Sequence, residues 1–289
     1  MAAKIIDGKA VAQQMQEEFK SEVRQLQEKE GITPGLTVVL VGEDPASQVY
    51  VKNKGLACQK VGIQSFEHRL PADTPEDELL KLVDRLNGDD RTHGILVQLP
   101  LPKHINEAKI LNAIQPDKDV DGFHPVNVGK LMIGEADFLP CTPAGIQELL
   151  IRSGTQIEGA DVVVVGRSNI VGKPIAMILC QKASGANATV TITHTRTRNM
   201  AEHTRRADIL IVAAGRPKAI TADMVKSGVT VIDVGVNRLP DKKLCGDVDF
   251  DGVKEVASAI TPVPGGVGPM TITMLLKNTI KAARLLHKK

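Results

Sequence analysis

The chain has 289 residues, of which 42% are apolar and 24% charged, and its formal net charge is +2. These proportions are ordinary for a globular protein, and the length allows one large domain or two modest ones. No run of lysine and arginine reaches five residues, and the chain has no Trp and one Tyr. The basic stripe and the aromatic platform typical of nucleic-acid-binding proteins are therefore both missing.

The four cysteines, at positions 58, 141, 180 and 245, form no CxxC pair and have no zinc-finger spacing to histidine. Free thiols in a reducing compartment, and no metal site, are therefore expected. The first residues contain no apolar core of a signal peptide, and no run of eighteen apolar residues follows. The sequence thus predicts a soluble cytoplasmic protein that does not bind membranes.

The first half alternates predicted helices and strands. We expect strands over 36–42, 64–70 and 94–99. A helix over 1–29 precedes the first strand. A helix from Pro45 to Val61, between the N-cap Asp44 and the stop Gly62, follows the first strand, and a helix capped by Thr74 that runs to Leu86 follows the second. Such a succession predicts a parallel sheet covered by helices. The stretch 115–143 is rich in Pro, Gly and Asp and is predicted to be an active-site loop and linker. A helix capped by Thr142 and running to Ser153 is expected next.

The second half repeats this rhythm. Strands are expected over 161–166, 188–194, 208–213 and 229–234, which is typical of a Rossmann-like fold. A last helix, over 269–286, is expected to pack back on the first domain. The predicted architecture is α/β with two domains and an active-site cleft between them: a discontinuous domain of residues 1–141 and 270–289 with a parallel sheet, and a Rossmann-like domain of residues 142–269.

A glycine turn, Gly166-Arg-Ser-Asn-Ile-Val-Gly-Lys-Pro174, follows a predicted strand and opens a helix. Phosphate cradles need this context, because glycine lets the backbone approach and a helix N-terminus favours an anion. A P-loop is excluded, since five residues separate the glycines and Lys173 precedes a proline instead of Ser or Thr. The dinucleotide fingerprint is imperfect because Ser168 replaces its second glycine, and a purely structural turn stays open.

The end of the next predicted strand indicates which dinucleotide binds. NAD-binding folds usually place Asp or Glu there to bind the ribose hydroxyls. This chain instead has His194-Thr-Arg-Thr-Arg198, with hydroxyls and cations but no carboxylate. Together with Arg167, this set favours a ribose 2′-phosphate and therefore NADP, although Arg196 and Arg198 individually are also compatible with a solvated loop.

Lys54 stands on a predicted apolar helix face. Projected at 3.6 residues per turn, Tyr50, Lys54, Ala57, Cys58 and Val61 form one stripe. Such a lysine either extends its ammonium to water at an edge or is held in a cleft. The edge is the common outcome, but two details point to a cleft: the only tyrosine, Tyr50, is one turn away on the same face, and the helix directly follows the carboxyl end of a strand, where open α/β sheets bind ligands. Partial desolvation would lower the pKa of Lys54 toward the range of proton transfer.

Two more polar residues stand at suggestive places. Gln98 lies near the end of a strand, where an apolar residue is the default, and Asp121 lies in the turn-rich run Pro116-Asp-Lys-Asp-Val-Asp-Gly122. An Asx-turn is the plain alternative for Asp121. A calcium-binding EF-hand loop is excluded because its final glutamate is absent.

Five segments in this order resemble the bifunctional methylenetetrahydrofolate dehydrogenase/cyclohydrolase family of the FolD type. They are Tyr50-Val-Lys-Asn-Lys54, Val97-Gln-Leu-Pro-Leu-Pro102, the run from Pro116 to Gly122, the glycine turn, and Thr261-Pro-Val-Pro-Gly-Gly-Val-Gly-Pro-Met-Thr271. The resemblance covers nearly the whole chain. It implies NADP-dependent oxidation of 5,10-methylenetetrahydrofolate to the methenyl form, then hydrolysis to 10-formyltetrahydrofolate, within one-carbon metabolism and purine biosynthesis.

The resemblance also implies roles for residues. Lys54 would be the catalytic lysine of the hydrolytic step, Gln98 would position it, Tyr50 would line the folate site and help to orient Lys54, and Asp121 would anchor the pterin. The remaining implied contacts with the folate substrate are Ser47, Val97, Leu99, Pro264, Gly265 and Gly266. The implied NADP contacts are Gly166, Arg167, Ser168, Thr195 and Ile232, with Thr195 at a position where the family often has serine. A homodimer formed through the Rossmann-like domain is implied as well.

Two alternatives remain at this point. One is an NADP-dependent dehydrogenase of another small substrate without hydrolytic activity, and the other is a catalytically silent nucleotide-binding or scaffold protein. The presence of both Lys54 and the glycine turn argues against the silent protein.

Overall fold

The computed structural model describes residues 3–288 and contains two compact units. The three-strand unit comprises residues 14–141 and 272–288, and the six-strand unit comprises residues 3–13 and 142–271. The sequence prediction assigned the first residues of the chain to the other domain. Residues 3–13 belong to the six-strand unit because the strand Lys4–Ile5 pairs with Ala259–Ile260 there.

The strands, in chain order, are β1 (Lys4–Ile5), β2 (Gly35–Val41), β3 (Gln64–Leu70), β4 (Gly94–Val97), β5 (Asp161–Val165), β6 (Thr189–Thr193), β7 (Ile209–Val212), β8 (Thr230–Asp233), β9 (Asn237–Arg238), β10 (Leu244–Cys245) and β11 (Ala259–Ile260). The helices are α1 (Gly8–Glu30), α2 (Pro45–Val61), α3 (Glu76–Asn87), α4 (Glu107–Ala113), α5 (Pro125–Ile133), α6 (Cys141–Arg152), α7 (Gly172–Leu179), α8 (Met200–Thr204), α9 (Phe250–Val253) and α10 (Val267–His287). Two 3₁₀ turns cover Pro116–Lys118 and Ala222–Met224.

The three-strand unit is built on a parallel sheet in the order β3-β2-β4. All seven residues of the central strand β2 are buried, which explains its largely apolar sequence; the hydroxyl of its one polar residue, Thr37, is hydrogen-bonded to that of Thr92 at 2.8 Å. Apolar side chains from β2, β4, α3 and α4 form one core cluster, which includes Val39, Leu79, Ile95 and Ile110. The sheet therefore presents the carboxyl ends of β2 and β4 side by side, where α2 and Gln98 follow.

Helix α2 has the predicted ends. Asp44 Oδ2 accepts a hydrogen bond from the backbone N–H of Ser47 at 2.8 Å, and Gly62 ends the helix at φ 87°, a conformation that glycine adopts without steric cost. Thr74, in contrast, does not cap α3, because its hydroxyl donates to the carbonyl of Pro71 at 2.7 Å. Helix α3 starts at Glu76 with three acidic residues in its first turn, which the helix dipole favours.

Three further predictions were wrong in detail. Within the range 1–29, where one helix was expected, residues 4 and 5 form the strand β1, and helix α1 starts only at Gly8. The expected loop 115–143 contains α5, whose start is marked by Pro125 and by His124 Nδ1, which accepts from the N–H of Val126 at 3.1 Å. Thr142 lies inside α6 instead of capping it.

The second half of α10 belongs to the three-strand unit. Asn278 donates from its side-chain amide to the carbonyls of Val120 at 2.8 Å and Leu139 at 3.0 Å. Arg284 forms an ion pair with Glu22 of α1. These bonds fix the helix to the segment that carries Asp121.

The six-strand unit has a wholly parallel sheet in the order β1-β11-β8-β7-β5-β6. The chain order of its strands reverses between β5 and β7, which is the topological switch point where Rossmann-like sheets bind ligands. Four of the five residues of β5, and all residues of β7 and β8, are buried. Within residues 3–288, no helix is long and apolar enough to span a membrane.

Candidate functional site

Lys54 lies on one flank of the buried face of α2. The buried residues of this helix are Ser47, Val51, Cys58 and Val61, and Lys54 is half-buried. The predicted stripe is corrected here: Tyr50 is 49% exposed, and Val51 occupies the core position instead. The centre of the buried face is rotated from Lys54 toward Val51, and Tyr50, one turn before Lys54 on the same side, falls beyond the edge of that face.

Gln98 holds the ammonium of Lys54. Its Oε1 accepts from Lys54 Nζ at 2.9 Å, and its Nε2 donates to the carbonyl of Leu99 at 2.7 Å. Its backbone N–H donates to the carbonyl of Val39 at 2.9 Å, so the residue is attached to the end of β2. Because Nε2 is engaged, Oε1 is the atom that faces Lys54, and the pair has one defined geometry.

The turn that carries Asp121 is organised by Asp119. Asp119 is buried, with 2% exposure, and its carboxylate accepts from the backbone N–H groups of Gly122, Phe123 and His124 at 3.2, 3.3 and 2.8 Å. Asn127 of α5 donates to the same carboxylate at 2.8 Å. Asp119 therefore makes the Asx-type bonds that the sequence alternative assigned to Asp121, which leaves Asp121 available for another partner.

The charges of Lys54 and Asp121 stabilise one another. Burial lowers the pKa of Lys54, and the negative charge of Asp121 opposes that shift. Burial raises the pKa of Asp121, and the positive charge of Lys54 opposes it. Both groups are thus moved toward the neutral range, as expected for groups that exchange protons.

Three residues of this site were not predicted. Burial raises the pKa of the Cys141 thiol, and the charge of Asp121 adds to this shift. Burial also raises the pKa of the Cys58 thiol to about 12. Both cysteines are therefore neutral neighbours of Lys54. Asn278 binds the carbonyl next to Asp121, as does Cys141 Sγ at 3.3 Å. A helical projection of α10 could have identified Asn278, because it is a polar residue on a buried face.

The remaining predicted folate residues differ in exposure. Ser47 is 3% exposed and is engaged at the start of α2. Val97 packs in the core cluster, and Leu99 is half-buried against it. The predicted residues Pro264, Gly265 and Gly266 lie in the six-strand unit.

Neither glycine of the glycine turn has room for a side chain. A Cβ on Gly166, whose φ is 133°, would lie 2.3 Å from the carbonyl oxygen of Ala213, and one on Gly172 would lie 2.2 Å from that of Gly166. Ser168 Oγ accepts from the N–H groups of Val171 and Gly172 at 3.1 and 3.3 Å, at the start of α7. The two glycines are therefore required by the close packing of the turn against its own backbone and that of Ala213, and the turn stands at the switch point, where a Rossmann-like sheet binds a diphosphate.

The residues predicted to select NADP follow β5 and β6 at the same edge. Arg167, Thr195 and Arg196 are exposed. The loop after β6 is held by Thr197 Oγ1, which accepts from the N–H of His194 at 2.9 Å. The predicted contact Ile232 is fully buried inside β8. This arrangement of hydroxyls and cations fits a 2′-phosphate.

A switch-point glycine turn and a half-buried lysine paired with Gln98 define a two-domain nucleotide-binding α/β enzyme. Two family models match the chain: "Tetrahydrofolate dehydrogenase/cyclohydrolase, catalytic domain" over residues 6–121 and "Tetrahydrofolate dehydrogenase/cyclohydrolase, NAD(P)-binding domain" over residues 140–287. The chain belongs to the tetrahydrofolate dehydrogenase/cyclohydrolase family. The predicted family and fold class are confirmed.

Similar proteins include the bifunctional protein FolD of Syntrophobacter fumaroxidans, which is 63% identical over 293 residues that cover 100% of this chain and 99% of that protein. The crystal structure of the bifunctional enzyme FolD, a methylenetetrahydrofolate dehydrogenase/cyclohydrolase from Campylobacter jejuni, superposes with a TM-score of 0.95 at 51% identity, covering 99% and 100% of the two chains. The Trypanosoma brucei N5,N10-methylenetetrahydrofolate dehydrogenase-cyclohydrolase, complexed with NADP cofactor and inhibitor, has a TM-score of 0.93 at 41% identity, with 100% of both chains covered.

Proposed function

We propose that this chain is a bifunctional NADP-dependent enzyme that oxidises 5,10-methylenetetrahydrofolate to 5,10-methenyltetrahydrofolate and hydrolyses that product to 10-formyltetrahydrofolate. The observation that carries the proposal is the half-buried Lys54, bonded to Gln98 at 2.9 Å and coupled to the charge of Asp121. A dehydrogenase alone has no need of such a lysine, since hydride transfer depends mainly on the placement of cofactor and substrate.

In the hydrolytic step, Lys54 moves a proton. Water adds its oxygen to the one-carbon bridge of the methenyl compound, and the lysine amine takes one proton from that water. The bond between the bridge carbon and N5 then breaks, N5 receives a proton from Lys54, and the formyl group stays on N10; the second water proton goes to solvent. The lowered pKa of Lys54 supplies the neutral amine that this step needs.

The neighbours of Lys54 orient it and the substrate. Gln98 accepts from the ammonium and so restricts its rotamers, while Asp121 binds the amino edge of the pterin. Tyr50, exposed on the flank of α2, covers the ring, and Ser47 completes the wall. The main chains of Val97 and Leu99 bind polar edges of the folate, and Pro264, Gly265 and Gly266 shape the wall on the side of the nicotinamide.

The six-strand unit binds the cofactor. Gly166 and Ser168, in the turn before α7, receive the diphosphate, Arg167 and Thr195 the 2′-phosphate, and Ile232 lies at the nicotinamide end. NADP, when bound there, accepts the hydride. The support is the position of the glycine turn at the switch point of the sheet and the NADP complex of the Trypanosoma brucei relative.

We extend the proposal to the setting of the enzyme. The six-strand unit, residues 3–13 and 142–271, acts as the NADP-binding domain, and the three-strand unit, residues 14–141 and 272–288, as the folate-binding domain. The four free thiols suit the reducing cytoplasm, and 10-formyltetrahydrofolate is a formyl donor of the kind that purine biosynthesis uses. The protein is a homodimer that associates through its NADP-binding domain.

The test is to give the purified protein methylenetetrahydrofolate and NADP and to measure reduced cofactor and formyl product. Formation of reduced cofactor without enzymatic formyl product would indicate a dehydrogenase that lacks hydrolytic activity. The absence of any turnover would indicate a catalytically silent binding protein. Lys54→Met is expected to lose at least about 100-fold in hydrolysis, the ordinary contribution of a general base, while its affinity for NADP stays unchanged. Lys52→Met, an exposed lysine of the same helix, is the matched control, and equal hydrolysis in both variants would contradict the role of Lys54.

A further inference from the structure

Two buried carboxylates lie at the ligand-binding edge of the six-strand sheet. Asp233 is the last residue of β8, and Asp247 follows β10; they are 2% and 0% exposed. Buried carboxylates are stable only with several hydrogen-bond donors. Neither residue has a part in the function proposed above.

Asp247 holds the loop that follows β7. Its Oδ2 accepts from the backbone N–H groups of Ala214 and Gly215 at 2.6 and 2.7 Å. Its Oδ1 accepts from Nδ2 of Asn237 at 2.8 Å, which ties the hairpin of β9 and β10 to the same carboxylate. The residue before this loop is Ala213, whose carbonyl contacts Gly166 of the glycine turn so closely that no Cβ fits between them.

Asp233 binds the backbone on both sides of the hairpin formed by β9 and β10. Its Oδ1 accepts from the backbone N–H groups of Gly235 and Asp247 at 3.1 and 2.9 Å, and its Oδ2 accepts from the N–H of Val248 at 3.0 Å. Its own N–H donates to Oγ1 of Thr261 at 2.8 Å. Thr261 directly follows β11 and begins the segment that leads to Pro264.

The space for both carboxylates is made by glycine. A Cβ on Gly235 would lie 2.1 Å from Cγ of Asp247, and a Cβ on Gly246 would lie 1.7 Å from Oδ2 of Asp233. The two carboxylates together accept six N–H bonds from the residues named above. Six donors and two glycines without room for a side chain make this a built network.

The network fixes the loops that face the second half of a dinucleotide. In a Rossmann-like sheet, one half of the cofactor lies over the first two strands, here β5 and β6, and the other half crosses the switch point to the strands beyond it. Those strands are β7, β8 and β11. With Thr195 and Arg167 on the adenosine side, the loops held by Asp247 and Asp233 belong to the nicotinamide side.

We propose that Asp247, supported by Asp233, is a positioning residue for hydride transfer, which holds the loops after β7, β8 and β11 in the arrangement that receives the nicotinamide. This inference rests on the proposed dehydrogenase function. It assigns the network to the oxidation step and not to the hydrolytic step, which uses Lys54 in the other unit.

The test compares Asp247→Ala and Asp247→Asn with Asp208→Ala. Asp208 lies at the opposite edge of the same sheet, where its carboxylate accepts from the N–H of Asp161 at 2.8 Å, so it controls for the loss of a structural aspartate. The readouts are kcat and KM for NADP in the oxidation, calorimetric binding of NADP, and hydrolysis of methenyltetrahydrofolate without any cofactor.

Asp247→Ala is expected to lower kcat/KM for NADP by about 100-fold, the effect of misplacing a reacting group by roughly 1 Å. Asp247→Asn keeps one acceptor oxygen and is expected to lose about tenfold, the effect of one hydrogen bond to a charged group. Hydrolysis changes by less than about twofold in both variants, because Lys54 and Gln98 share no hydrogen-bond partner with Asp247 and belong to the other unit. Asp208→Ala leaves all three readouts near wild type.

Parallel losses of oxidation and hydrolysis would make the network merely structural and would overturn the inference, as would unchanged kinetics for NADP in Asp247→Asn. If Asp247→Ala does not fold, Asp247→Asn alone decides between these results. A wild-type protein that does not oxidise methylenetetrahydrofolate with NADP would refute the proposed function itself, and that result is visible before any variant is made.

Discussion

Asn278 connects the last helix to the turn of Asp121, and its replacement by leucine gives a sharp prediction. The side chain is 6% exposed and donates to the carbonyls of Val120 and Leu139. Leucine has a similar shape but no donor, so both bonds are lost. At about 1 kcal/mol net for each bond, the free energy of unfolding should fall by about 2 kcal/mol. The carbonyl of Val120 keeps the Cys141 thiol as a donor, which limits the loss at that end.

The stability change should lower the midpoint of thermal unfolding by about 4–8 °C, given about 2–4 °C per kcal/mol for a chain of this size. The turn should also loosen around Asp121, so KM for the folate should rise while KM for NADP does not. The control is Thr279→Val, which loses only a bond within α10, from Thr279 Oγ1 to the carbonyl of Leu275 at 2.8 Å. Equal stability and equal folate KM in Asn278→Leu and wild type would refute the reasoning.

Two predictions concern the six-strand unit. Gly8→Ala should impair oxidation more than hydrolysis, because a Cβ at Gly8 would lie 1.8 Å from the carbonyl oxygen of Gly266 and must displace that segment. Measuring the rates of the two reactions separately checks this prediction, and an equal loss in both rates would contradict it. Burial raises the pKa of Asp233 to about 6, so between about pH 4 and pH 6 the folded protein binds a proton that the unfolded chain releases. The contribution of Asp233 to stability is therefore full at low pH and is lost as the pH rises through 6. Unfolding by urea from pH 4 to 8 should show a smaller decline with pH in Asp233→Asn than in wild type, and identical slopes would count against the shifted pKa.

Much of the fold follows from local signals in the sequence. The strands β2, β5 and β8 and the helix α2 lie within a residue or two of the predicted bounds, because each combines a β-branched run or helical period with a Gly, Pro or Asp at its ends. Helix α5 was missed because it is nine residues long and exposes several apolar side chains, so no helical face stands out in its sequence.

The site was partly predictable for a different reason. Lys54 and Gln98 stand out because each is polar where its element should be apolar, and the structure brings them into contact. Asp247 does not stand out, since its partners lie in other elements: it binds the loop after β7, more than thirty residues earlier in the chain. Burial and long-range hydrogen bonds decide such positions, and neither is written in local periodicity. Tyr50 shows the converse error, because the pattern around it suits a core position that Val51 in fact occupies.

The most direct test of the account is the ratio of 10-formyltetrahydrofolate to reduced NADP formed from methylenetetrahydrofolate by wild type and by Lys54→Met, with the uncatalysed hydrolysis subtracted. The account predicts that wild type forms both products and that the variant still forms reduced NADP but almost no enzymatic formyl product. The same ratio in both proteins would contradict the account, because Lys54 would then not serve the hydrolytic step.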